Sequence, residues 1–220
     1  MNYGLKDRFA LVTGGSHGIG LSTAKALMLQ GCRVCICSRS EQRLKEAKEI
    51  LSKINNNFMI IQADVLNDKD INVVMDQIES SWGHLHILVN NVGGGGRWGK
   101  PTFEETPIET WREVYQKNAG AASLFTMRAI PFMLQANWGR IVTVTSIYGK
   151  EGGGRPWFNM AKAAEISLMK TLSLTPYLVR GGITFNSVAP GGIAIPGTGF
   201  DEEKANDPVG FAENIERNYP

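Results

Sequence analysis

The sequence predicts an α/β fold, a doubly wound parallel sheet in a three-layer α/β/α arrangement. Apolar runs of strand length alternate with helical patterns through most of the 220 residues. Those runs are continuously apolar, which marks strands buried on both faces, and parallel neighbours need crossovers long enough to hold a helix. No linker, repeat or low-complexity segment interrupts the alternation, so a single domain over 1–220 is expected.

The elements follow in order. Phe9–Thr13 is a short strand, and Ile19–Gln30 has helical spacing and stops at Gly31, a natural C-terminal glycine. Arg33–Ser38 is the second strand and Glu41–Lys53 the second helix; Phe58–Ala63 and Asp68–Ser81 repeat the unit, and His86–Asn90 is a fourth strand. Pro107–Gln135 is helical with an interruption, Arg140–Ser146 is a fifth strand, and Ile183–Val188 a sixth. Between them Phe158 to about Arg180 reads as a long helix that Pro176 should kink or end. From Gly191 the rhythm breaks, and a Gly-, Pro- and acid-rich tail on the substrate side is expected, without another strand.

Composition narrows the function. A net charge of +2, with no basic run, argues against a nucleic-acid surface. The longest apolar stretch, Ala119–Leu134, is broken by Arg128 and Pro131 and is shorter than the ~20 residues of a membrane span. The first eight residues lack the apolar core of a signal peptide, so a cytoplasmic location is expected. Cys32, Cys35 and Cys37 have redox-like spacing, but Arg33–Ser38, which holds Cys35 and Cys37, reads as a buried strand where cysteine acts as a small hydrophobe, and no metal site is expected. What stands out is 25 glycines, many clustered.

The first cluster, Gly14-Gly15-Ser16-His17-Gly18-Ile19-Gly20, follows a strand and opens a helix. Glycines there let a backbone approach a pyrophosphate, and the helix offers free N–H groups and a positive dipole end. A tight turn of purely structural purpose is the alternative. Taken with Asn90-Asn91-Val92-Gly93 after the fourth strand, Ser146 after the fifth, Lys162 on the next helix and Pro190-Gly191 after the sixth, the pattern resembles the classical short-chain dehydrogenase/reductase family, including its 3-oxoacyl-carrier-protein reductases. The match spans about residues 5–195 in order.

The resemblance implies a Rossmann fold and hydride transfer between a nicotinamide dinucleotide and a carbonyl/alcohol pair. It assigns Gly14, Ser16, His17, Gly18, Ile19 and Gly20 to the phosphate turn, Asp64 and Val65 to the adenine side, and Asn91, Val92, Gly93, Lys162, Pro190, Gly191 and Ile193 to the rest of the dinucleotide. The second strand ends in Ser38-Arg39, where NAD-preferring sites place an acid; a hydroxyl and a guanidinium suit a 2′-phosphate, so NADP(H) is expected, with NAD(H) as the other possibility. Asn118, Ser146 and Lys162 take the family's catalytic positions. At the fourth, Phe158 stands where the family has its proton-donating tyrosine.

Three accounts of Phe158 stay open: a Tyr→Phe replacement, engineered or selected, in a competent enzyme; a natural variant with another donor, for which Tyr148 is the nearby tyrosine; and a dinucleotide-binding protein without catalysis. Ser146 lies 12 residues before Phe158, one fewer than is common in the family, which leaves Thr145 as the rival serine equivalent. Two glycine loops, 93–99 and 150–157, each carry an Arg and a Trp. They read either as aromatic, cationic walls for an anionic or sugar-like substrate or as ordinary loop borders. The weakly charged helices over Ala119–Leu134 and Met160–Leu174 imply, by resemblance, a homodimer or homotetramer. The family's last helix and strand are expected to be absent from the chain.

Overall fold

In the computed structural model, which describes residues 3–100, 102–197 and 199–218, with the side chain of Asn218 excepted, β1 (Phe9–Thr13) is buried from Ala10 onward. Its side chains alternate between two cores, so the strand is the centre of a sandwich of helices. Ala10 and Val12 face a cluster with Val34, Ile36, Ala24, Met28, Leu44 and Leu51, the last four supplied by α1 (Gly18–Leu29) and α2 (Glu41–Ser52). Leu11 faces the opposite cluster, with Ile71, Val74 and Ile78 from α3 (Asp68–Trp82), Phe125 and Met133 from α5 (Ala121–Gln135) and Met169 from α6 (Pro156–Ser173). This is the three-layer arrangement the sequence predicts.

The remaining strands are β2 (Arg33–Ser38), β3 (Phe58–Gln62), β4 (Ile87–Asn90), β5 (Gly139–Val144) and β6 (Ile183–Val188), in the order β3-β2-β1-β4-β5-β6, with every pair parallel. Chain direction across the sheet reverses between β1 and β4, which opens a crevice at their carboxyl ends. Cys35 and Cys37 lie in one core and Cys32 in the other, all as free thiols, and among the described residues no group of potential metal ligands is assembled. No helix among the described residues is long and apolar enough to cross a membrane.

The expected interruption of the 107–135 helix is a π turn, Gln116–Gly120, between α4 (Ile108–Tyr115) and α5. Pro176 ends the next pattern as expected: α6 stops at Ser173, and α7 (Pro176–Arg180) starts on the proline. The tail differs from expectation. Residues 190–220 form a second compact unit that holds α8 (Gly199–Asn206) and α9 (Pro208–Asn218), with Phe200 and Phe211 edge to face at 5.8 Å. The signal was present in Asp207-Pro208: the carboxylate accepts from the Gly210 amide at 2.9 Å and caps a helix that opens on proline. Met1, Asn2, Tyr219 and Pro220, at the two ends read from sequence, lie outside the described residues.

Candidate active site

The crevice is built by clamping the ends of β1 and β4 together. The Thr13 hydroxyl accepts from the amides of Asn91 and Val92, each at 3.0 Å, and donates to the Val89 carbonyl at 3.4 Å. The Asn91 amide group donates to the carbonyls of Thr13 (2.8 Å) and Gly14 (3.2 Å). Gly14 has φ +63°, and a Cβ at Gly20 would stand 2.4 Å from the Gly14 carbonyl oxygen. No side chain fits between turn and helix there, so the backbone itself forms the wall. His17 is the N-cap of α1, but its side chain makes no capping bond, so this helix start has no side-chain oxygen on its leading amides. A cradle of bare backbone at an uncapped helix start fits a pyrophosphate.

Farther along the crevice lies an open cleft of about 390 Å³ lined by Arg39, Gln62, Ala63, Asp64 and Asp70. Ser16 donates to Ser38 at 2.9 Å, which ties the phosphate turn to the end of β2. The carboxylates in the cleft are engaged by backbone: Asp70 accepts from the Asp64 amide (2.9 Å) and Asp64 from the Leu66 amide (3.1 Å). Val65 turns into the core and Ile19 is half-buried at the start of α1. Arg43, which sequence reasoning passed over, lies 3.1 Å from the ring of His17. Burial and, next, the Arg43 charge hold His17 below its ordinary value, which favours the neutral imidazole.

Asn118 lies in the π turn, whose extra residue re-aims a side chain that a regular helix would direct elsewhere. It is fully buried, donates to the carbonyls of Gly94 (2.8 Å) and Val114 (2.7 Å), and accepts from the Gly94 amide at 3.1 Å. Gly93 is where the predicted groups converge: a Cβ there would stand 2.6 Å from Asn118 Oδ1 and 3.0 Å from Lys162 Nζ. Phe158 joins them, its ring centre 5.8 Å from Lys162 Nζ. Ser146 follows β5, and its hydroxyl accepts from the Tyr148 amide at 3.2 Å. Thr145 is buried and bonded through amide and hydroxyl to the Val188 carbonyl, so of the two hydroxyls Ser146 is the less committed.

Two charged residues at the site escaped the sequence reading. Glu165, 1% exposed, binds Lys162 Nζ at 2.9 Å, and the same ammonium donates to the Val144 carbonyl at 3.1 Å. Opposite charges three residues apart on one helix were the available signal. Burial pushes the Glu165 carboxyl up, and Lys162 opposes that push. Lys117 stacks 4.3 Å over Trp98. Its pKa is lowered by burial first and by Arg39 next.

The reading of the tryptophans as paired pocket walls is corrected for Trp157. It is wholly buried, edge to face with Trp111 at 5.4 Å and packed with Val114 and Ala161, because α6 turns it inward beside Phe158. Arg155 donates to the Lys100 carbonyl at 2.9 Å. The ring of Tyr148 packs along Gly153 and Gly154. Pro190, Gly191 and Ile193 belong to the second unit, where Ile193 is 42% exposed.

With this geometry in view, comparison with known proteins is decisive: the family described as short chain dehydrogenase matches residues 8–206. The chain belongs to that family. It is 28% identical over 214 residues to an uncharacterized oxidoreductase of Staphylococcus epidermidis, covering 96% of this chain and 90% of the relative. It is 31% identical over 193 residues to the 3-oxoacyl-[acyl-carrier-protein] reductase FabG of Aquifex aeolicus, covering 87% and 76%. Among solved structures, L-sorbose reductase from Gluconobacter frateurii, complexed with NADPH and L-sorbose, superposes with a TM-score of 0.88 at 27% identity, over 99% of this chain and 82% of that one. The protein is thus a short-chain dehydrogenase/reductase, an oxidoreductase by family.

Proposed function

We propose that this short-chain dehydrogenase/reductase binds NADP(H) and interconverts a carbonyl with a secondary alcohol, at a rate limited by the missing hydroxyl at position 158. The observation that carries the reading is the cradle of Gly14, Gly20 and Asn91, tied through the Ser16–Ser38 bond to the end of β2, where Arg39 lines a cleft and neither Ser38 nor Arg39 is an acid. Backbone at Gly14–Gly20 would hold the pyrophosphate, Ser38, Arg39 and His17 the 2′-phosphate, Asp64 and Val65 the adenine side, and Asn91, Val92, Gly93 and Lys162 the nicotinamide half. The dinucleotide supplies or accepts the hydride when bound.

The chain's own groups must then handle the carbonyl oxygen. Ser146 has a hydroxyl free to donate, because its recorded bond is one it accepts. It would polarise the carbonyl, while Asn118 fixes the loop that carries Gly93 and Gly94. Phe158 fills the donor's place without a proton to give. A positioned general acid contributes about 10²–10⁴ in rate, so slow turnover is expected. The relatives' names point to a ketone as substrate. Self-association as a homodimer or homotetramer also belongs to this reading.

The test measures dissociation constants for NADPH and NADH, then turnover over a panel of ketones. NADPH should bind more tightly; tighter NADH overturns the cofactor assignment, and failure to bind either overturns the site. The same phenylalanine favours a second reading, a dinucleotide-binding protein without catalysis. NADPH binding with no turnover in the parent chain or in Phe158→Tyr variants would establish that reading instead.

A further inference from the structure

Phe158, Lys162 and Glu165 lie at i, i+4 and i+7 on α6, so they share one face of the helix. In the family a lysine at this spacing makes the tyrosine acidic by placing a positive charge near the phenolate. Here the ammonium is not free to act alone. Lys162 is 4% exposed, and two of its three N–H groups are taken by Glu165 and the Val144 carbonyl.

We propose that Glu165 is a positioning residue for Lys162, and that its carboxylate also withdraws from position 158 most of the positive charge that would make a tyrosine there acidic. Phe158 and Glu165 then bear on one site through Lys162. The carboxylate oxygen lies 2.9 Å from the ammonium, and the ammonium 5.8 Å from the ring centre of Phe158. Coulomb energy falls inversely with distance, so even with the three in line the carboxylate takes back at least roughly two thirds of what the ammonium gives at that ring. The pair is buried, so solvent screens it little. Of the other cations near this end of the site, Lys117 sits over Trp98 and against Gly94, Arg155 lies 5.8 Å from the ring centre of Trp157, and Arg97 follows the Gly96 that packs on Phe158.

The consequence is that this chain is not one substitution away from the family's proton donor. The proposal deepens the reading above, but its test needs neither dinucleotide nor substrate, so the two can fail separately. The phenol of Phe158→Tyr is titrated by tyrosinate absorbance, as a difference from the parent chain. It should titrate within about half a pH unit of the ordinary value of about 10. In Phe158→Tyr/Glu165→Gln it should fall by about one pH unit or more, whereas Phe158→Tyr/Glu165→Asp should stay with the single variant. A Phe158→Tyr phenol already lowered by that amount overturns the proposal, as does a Glu165→Gln change that moves nothing. Should the Gln variant fail to fold, Phe158→Tyr/Lys162→Met/Glu165→Leu decides: with both charges removed, the phenol moves by less than about half a pH unit if the ammonium is already cancelled, and rises by one or more if it is not.

Discussion

At the scale of single residues, the proposed site sets the Phe158 ring beside the buried Lys162–Glu165 pair. Phe158→Tyr alone should recover only a small part of the roughly 10²–10⁴ in turnover that a general acid contributes. Adding Glu165→Gln should recover more, and steady-state kinetics with NADPH on one ketone separates the two. The carboxylate also has a structural cost of removal. Glu165→Ala leaves a buried ammonium without its counter-charge and should cost about 3–5 kcal/mol in chemical denaturation; a loss below about 1 kcal/mol would mean that Lys162 finds other company. Mutating Ser146 to Ala should lower turnover without changing NADPH affinity, because its hydroxyl lies after β5 rather than in the phosphate turn.

At the scale of elements, the phosphate turn and the second strand make opposite demands. Gly20→Ala places a Cβ against the Gly14 carbonyl, which is backbone and cannot swing aside. Overpacking of this kind costs about 1–3 kcal/mol, so the melting temperature should fall and NADPH binding weaken at least about tenfold, read by thermal melts and fluorescence titration. On β2 and just before it the cysteines are inert by burial: the Cys32 thiol is pushed up to about 11 and Cys37 to about 12, and Cys35 stands well above its ordinary value. A thiol reagent at neutral pH should therefore label none of the three until denaturant is added. These elements were legible because each carries a local signal: a continuous apolar run, a glycine turn, Pro176 at a helix boundary. The interruption of the 107–135 helix was expected, but not that it is a π turn that aims Asn118 at Gly94. The tail helices were missed because α8 and α9 lack the long apolar pattern that marked the others, and Glu165 was missed because a carboxylate on a helix ordinarily faces water, which only the packed structure contradicts.

At the scale of the whole molecule, the question is what covers the outer faces of α5 and α6. Their inward residues fill the core, yet Ser123, Met127 and Pro131 on α5, and Met160, Ala163 and Ser167 on α6, are exposed and uncharged, with Lys170 the charged residue that ends the α6 row. Met127 is 61% and Met160 48% exposed. A helix polar on its solvent face is the rule for a surface helix, and two weakly charged outer faces on one molecule are what a helix-to-helix interface between copies needs. Small residues such as Ser123, Ala163 and Ser167 let two backbones approach, while the methionines fill the space beside them. The chain should sediment as a dimer or a larger closed assembly. Met127→Glu and Ala163→Arg each put a charge where the partner would have to bury it, so either should shift the species toward monomer while the far-ultraviolet circular dichroism stays unchanged. A parent chain that remains monomeric at micromolar concentration would remove these faces from the assembly argument and leave the exposed methionines as ordinary surface.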